Sequence, residues 1–162
     1  CGEGFASPRA ERRKLAVVSP APCGYHFGRA SRMSPEDRGP CLRVLVVEDE
    51  ILIQMLAVQY LEDAGFIAET ADSAAEALAK LQSTNGEVSA IILDIGLPDR
   101  SGDVLTREIR AIYPSVPIVL ATGHLRSEFK NVVDDHHGIA FLSKPYSADG
   151  LISALREAGV PE

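Results

Sequence analysis

The sequence predicts an α/β protein: a doubly wound, five-stranded parallel sheet flanked by five helices, spanning residues 41–162. Two observations carry that expectation. From Cys41 onward, five short apolar runs alternate with five segments of helical length. The first run, Leu42 to Val47, is rich in β-branched residues, the pattern of a strand buried on both faces.

The elements follow in order. Glu50 to Ala64 is expected to be a helix with Ile51, Met55, Val58 and Leu61 on one stripe, stopped by Gly65. Phe66 to Thr70 reads as the second strand. Asp72 or Ser73 then caps a helix to Leu81, with Ala75, Leu78 and Leu81 sharing a face. Val88 to Leu93 is the third strand. Gly96, Pro98 and Gly102 mark a loop before a helix from Asp103 to Ile112. Val116 to Ala121 is the fourth strand, and a polar helix is expected between His124 and Asp135. Ile139 to Leu142 is the fifth strand, and Ala148 to Ala158 closes the fold before Gly159 and Pro161.

Residues 1–40 differ in character. They are rich in Pro, Gly, Ser, Ala and Arg, without a sustained helical or strand period, and are expected to form a disordered tail or linker. The chain of 162 residues carries 16 Lys+Arg and 23 Asp+Glu, a net charge of -7. Seven basic and four acidic residues fall in residues 1–40, which is therefore basic, so residues 41–162 hold all of the acidic excess. Such a domain does not suit direct nucleic-acid binding, which needs clustered Lys and Arg on phosphates. No apolar run approaches the roughly 18 to 20 residues of a membrane span, and the cysteine pattern leads to the expectation of a reducing, cytoplasmic location. Three cysteines with no C-x-x-C pair offer neither a disulfide scaffold nor a zinc site.

In an open parallel α/β sheet, chemistry gathers beyond the carboxyl ends of the strands, at the point where strand order switches. After the first strand stand Glu48, Asp49 and Glu50; after the third, Asp94; after the fourth, Thr122 and Gly123; after the fifth, Ser143, Lys144 and Pro145. Each has an ordinary reading by itself. A lone acidic residue or threonine there commonly caps a helix, and Lys-Pro commonly marks a turn. Together, at the ends of different strands, they make a site. Converging carboxylates repel unless a cation neutralises them. Oxygen ligands without His or Cys suit a hard ion such as Mg²⁺. A lysine and a hydroxyl beside them suit a phosphoryl group.

At this point the chain resembles the receiver domains of two-component response regulators, a flavodoxin-like fold. The resemblance covers about Leu42 to Ala158. It rests on V-L-V-V-E-D-E, I-I-L-D-I-G-L-P-D-R-S-G, I-V-L-A-T-G and F-L-S-K-P-Y. It implies that Asp94 accepts a phosphoryl group from a phosphohistidine on a histidine kinase or phosphotransfer protein. It also implies Mg²⁺ or Mn²⁺ bound directly by Asp49 and Asp94, by Glu48 mainly through water, and by the backbone carbonyl of Gly96. Lys144 would pair with the phosphoryl oxygens and Thr122 would hydrogen-bond them. Phe141 would be the aromatic switch coupled to Thr122. The family signals through its fourth helix and the elements after it, to a downstream protein or, through the fourth and fifth helices, in a homodimer. Such a domain is a phosphoacceptor, not an enzyme with a separate substrate. No role is expected for His26, His124, His136 or His137, because an ionised carboxylate nucleophile needs no general base.

Two contexts are expected, first a stand-alone receiver and second the C-terminal receiver of a hybrid histidine kinase, with residues 1–40 as linker. The non-Met start keeps the second open. A degenerate receiver used only for protein interaction would lack part of the acid set, and here every member is present. A haloacid-dehalogenase-type phosphatase would want a second aspartate at position 96, which is Gly. Neither G-x-G-x-x-G nor G-x-x-x-x-G-K-[ST] occurs.

Overall fold

The structure, a computed structural model, describes residues 42–123 and 137–161. The tail expected for residues 1–40 and the helix expected between His124 and Asp135 lie outside the described residues. Nine elements run in the order β1 (Arg43–Val47), α1 (Ile51–Asp63), β2 (Ile67–Ala71), α2 (Ala74–Ser83), β3 (Ala90–Asp94), α3 (Gly102–Ile112), β4 (Ile118–Thr122), β5 (Ile139–Ser143) and α4 (Ala148–Glu157). The strands form one sheet in the order β2-β1-β3-β4-β5. Every pairing is parallel. The chain leaves β1 in one direction and β3 in the other, so the switch point lies between them.

Alternation along the strands builds a core on each face. Val44 and Val46 join Ala57, Leu61, Ile92, Val119, Leu151 and Leu155 on one side. Leu45 and Val47 join Ala77, Leu81, Leu93, Leu105, Ile109 and Leu120 on the other. This two-sided burial explains why β1 carries apolar residues at successive positions rather than every second one.

Helix ends follow local chemistry. Ser73 caps α2 by accepting from the Glu76 N–H, and Ser147 caps α4 by accepting from the Gly150 N–H. Gly65 has φ +90 and ends α1, with its N–H donating to Glu62 and the Phe66 N–H to Leu61. No helix among the described residues is long and apolar enough to cross a membrane.

Two helix faces differ from the sequence pattern. On α1, Leu61 is buried as expected, but Ile51 and Met55 are 65% and 62% exposed, and Ala57 is buried in their place. The first half of α1 is apolar all round, so periodicity alone could not choose its inner face. On α2, Ala74, Ala77 and Leu81 are buried while Ala75 is exposed. Every strand but β1 also ends one residue later than expected. Asp94 and Thr122 are the last residues of β3 and β4 rather than the first of their loops.

At the opposite edge, the amino ends of the strands, Arg110 of α3 is buried. Its guanidinium donates to the carbonyls of Val116, His137 and Gly138, joining the turn before β4 to the entry of β5. Burial lowers its pKa, and among the described residues no carboxylate pairs with it. Arg110→Ala is expected to lower stability by about 2 kcal/mol through lost charged hydrogen bonds and packing. The check is the denaturant midpoint at an unchanged m-value.

Candidate metal and phosphoryl site

The register sets the site. Val47 pairs with Leu93, so the next residues, Glu48 and Asp94, stand side by side at the switch point. The Glu48 N–H donates to Ala71, extending β1 one step beyond its last pair. Glu48 is 3% exposed, whereas Asp49 points into solvent. Glu48, Asp49 and Asp94 each bring a carboxylate oxygen within 4.8 Å of the others.

Lys144 closes the cluster from the end of β5. Its Nζ lies 2.6 Å from Glu48 Oε2 and 3.0 Å from Asp94 Oδ1. Burial alone would lower the Lys144 pKa, but hydrogen bonds to Glu48 and Asp94 outweigh it and hold the ammonium above the usual lysine value. Glu48 moves up because burial disfavours its charge and Asp94 repels it, although the Lys144 hydrogen bond pulls it down. When ionised, three carboxylates and one ammonium carry a net −2, which one divalent cation cancels. The oxygen-only donor set fits a hard ion of the Mg²⁺ or Mn²⁺ kind.

The remaining expected residues fall around this cluster. Thr122, 3% exposed, ends β4, and its carbonyl accepts from the Lys144 N–H at 2.8 Å. Thr122 pairs with Ser143 and Leu120 with Phe141, so Thr122 and Phe141 share one face of the sheet. Phe141 is half-buried against the core that contains Leu93 and Leu120. Gly96 is exposed, and a Cβ there would stand 3.5 Å from Asp94 Oδ2. Gly102 is needed for close approach: a Cβ would meet Ile95 Cα at 2.7 Å and the Asp94 carbonyl at 2.8 Å. Of the histidines, only His137 lies among the described residues, and it is exposed.

Three residues at this edge had no place in the sequence reading. Gln54 Nε2 donates to the carbonyls of Glu48 and Ala71, tying α1 to the ends of β1 and β2. Asp99 accepts from two N–H groups of α2. Tyr146 has its phenol pushed up to about 12, by burial first and then by the charges of Glu48 and Asp94. Asp99 and the aromatic after Lys-Pro stood inside recognised motifs, but neither had a role of its own there. Gln54 and Asp99 act on backbone groups distant in sequence, which no local pattern signals.

Comparison with known proteins agrees with this fold. The family described as "Response regulator receiver domain" matches residues 44–156. Sensor kinase CckA of Brucella abortus is 31% identical over 114 residues, covering 70% of this chain and 12% of that kinase. The C4-dicarboxylate transport transcriptional regulatory protein DctD of Rhizobium meliloti is 33% identical over 115 residues, covering 71% of this chain and 25% of that regulator. The chain thus spans a quarter or less of the length of these two relatives. Among solved structures, chemotaxis response regulator CheY4 of Vibrio cholerae superposes with a TM-score of 0.64 at 29% identity. That match covers 73% of this chain and 98% of CheY4. With the family model matching nearly all of the described residues, the chain belongs to the response regulator receiver domain family of two-component systems.

Proposed function

We propose that this receiver takes a phosphoryl group onto Asp94 from a phosphohistidine on a histidine kinase or phosphotransfer protein. Mg²⁺ or Mn²⁺ would be held by Asp49, Asp94, the Gly96 carbonyl and, mainly through water, Glu48. The observation that carries this reading is Lys144 shared between Glu48 and Asp94 within a cluster of three carboxylates. A plain structural ion pair needs one carboxylate, not three.

In the proposed reaction an Asp94 carboxylate oxygen attacks phosphorus, the P–N bond breaks, and the imidazole leaves with the electron pair. Lys144 fixes Oδ1, which leaves Oδ2 as the attacking atom, and its charge lies where the phosphoryl oxygens arrive. The cation, when bound, supplies further neutralisation of those oxygens. The acyl phosphate adds about −1.5 to −2 charge. That charge would draw the Thr122 hydroxyl inward, and Phe141, on the same face, would fill the space released. The chain is read as a phosphoacceptor that at most promotes its own phosphorylation and dephosphorylation. It would work in the cytoplasm and pass its state to another protein, or to a second copy, through the elements after β4.

The test is incubation with a small acyl phosphate and Mg²⁺, followed by mass spectrometry of the peptide carrying Asp94. A phosphoryl mass gain on that peptide is expected; a gain elsewhere, or none, counts against the proposal. Asp49→Ala is expected to weaken Mg²⁺ binding by about tenfold or more in a calorimetric titration; an unchanged isotherm would remove Asp49 as a ligand.

A stand-alone receiver is one context for this chemistry. Matches to CckA and to hybrid signal transduction histidine kinase K of Dictyostelium discoideum, of which the chain covers 11%, favour the second, a module of a hybrid kinase. An in-frame kinase core in the upstream coding sequence would decide for the second.

A further inference from the structure

The loop between β3 and α3 is closed at its base and held at its tip by different means. At the base, the Gly102 N–H donates to Ile95 at 3.0 Å, and the Ile95 N–H donates to Ala121 at 3.2 Å. In between, Leu97 is buried in the core beneath α2 and α3. At the tip, Asp99 Oδ1 accepts from the Ala74 N–H and Oδ2 from the Ala75 N–H, both at 3.0 Å. These are the first two donors of α2. Ser73, the residue at the cap, serves only the third, through its bond from Glu76. Asp99 thus takes the donors that the local cap leaves open.

The far side of this clamp is itself anchored to the site. Ala71, the last residue of β2, lies three residues before Ala74. Its carbonyl accepts from the Glu48 N–H and from Gln54 Nε2, and Gln54 also holds the Glu48 carbonyl. The start of α2 and the backbone of Glu48 therefore share one hydrogen-bonded rim. Through Asp99, the segment that contains Gly96 is fastened to that rim.

We propose that Asp99 is a positioning residue: by joining the β3–α3 loop to the first turn of α2, it holds the Gly96 carbonyl in place for a divalent cation at the Glu48–Asp49–Asp94 cluster. This inference rests on the proposed function, because it concerns the same cation. Asp99 itself touches none of the three carboxylates through any hydrogen bond described above. Its effect passes through three residues of backbone.

Asp99 is exposed, so Asp99→Ala and Asp99→Asn are compatible with the fold. In the full chain without metal, Asp99→Ala is expected to speed amide exchange at Ala74 and Ala75, and also at Gly96. Its Mg²⁺ affinity is expected to fall about tenfold, the lower end of what losing a ligand's supporting bonds costs. Phosphorylation by an acyl phosphate at saturating Mg²⁺ should return to within about twofold of the wild-type rate, since positioning affects occupancy more than the step itself. Asp99→Asn keeps one acceptor and should fall between. Faster exchange at Ala74 and Ala75 with an unchanged Mg²⁺ isotherm would overturn the proposal and leave Asp99 a helix cap alone. Asp49→Ala separates the two levels. If it abolishes Mg²⁺ binding while Asp99→Ala does not alter it, this inference alone falls; if the wild type binds no Mg²⁺, the proposed function falls with it.

Discussion

Asp94→Asn is expected to abolish phosphoryl uptake completely while making the metal-free protein more stable. Both effects have one origin. The amide is no nucleophile, so no mass gain should appear at this position however long the acyl phosphate is present. The charge that performs the chemistry also repels Glu48, whose carboxyl is pushed up by burial and by Asp94. Removing that charge leaves Lys144 paired with Glu48 at 2.6 Å and relieves the repulsion. A gain of about 1 kcal/mol is expected, corresponding to a modest electrostatic term at a partly buried site. The check is a pair of denaturant curves without divalent cation. Saturating Mg²⁺ should then narrow or reverse the difference, because only the wild type keeps its full ligand set. Equal stability without metal would mean that the lost 3.0 Å contact between Asp94 and Lys144 offsets the relieved repulsion, so that the carboxylates are already balanced without a cation.

Lys144→Met is expected to have the largest cost in stability. The substitution keeps a similar apolar stem and removes the ammonium, so Glu48, 3% exposed, loses its counter-charge. Stranding one partner of a buried pair costs about 3 to 5 kcal/mol in closed interiors. The Lys144 side chain is 17% exposed, which admits some solvent, so about 2 to 3 kcal/mol is expected here. Glu48→Gln added to Lys144→Met should recover most of the loss, since the pair is then removed together. Phosphorylation should stay low in both variants. If the double variant were as unstable as the single one, Lys144 would matter for packing rather than for charge.

How much of this was legible in the sequence follows from the range of each interaction. Glu48, Asp94, Thr122 and Lys144 could be placed together because each directly follows or ends an apolar run, and parallel topology brings such ends to one edge. The stop at Gly65 was legible too, since a left-handed residue leaves a local mark. The inner face of α1 was not. Leu61 was placed inward correctly, but Ile51, Leu52, Met55 and Leu56 are exposed, and only tertiary packing selects Ala57 in their place. Strand ends were misplaced by a residue or two because ladder bonds, not side-chain type, carry β3 on to Asp94. Asp99, Gln54 and Arg110 reach backbone groups up to 28 residues away, and their partners carry no side-chain signature at all.

The bond between Lys144 and Glu48 joins residues 96 apart in the sequence. A ribosome releases the three carboxylates long before it releases the only base that balances them among the described residues of the site. A nascent chain ending before β5 therefore carries an uncompensated acidic knot at the edge of an unfinished sheet. Completion of the last strand supplies the missing sheet edge and the missing charge in one step. The domain is thus expected to be all-or-none in synthesis as well as in unfolding, with no shorter fragment able to hold the phosphoryl chemistry.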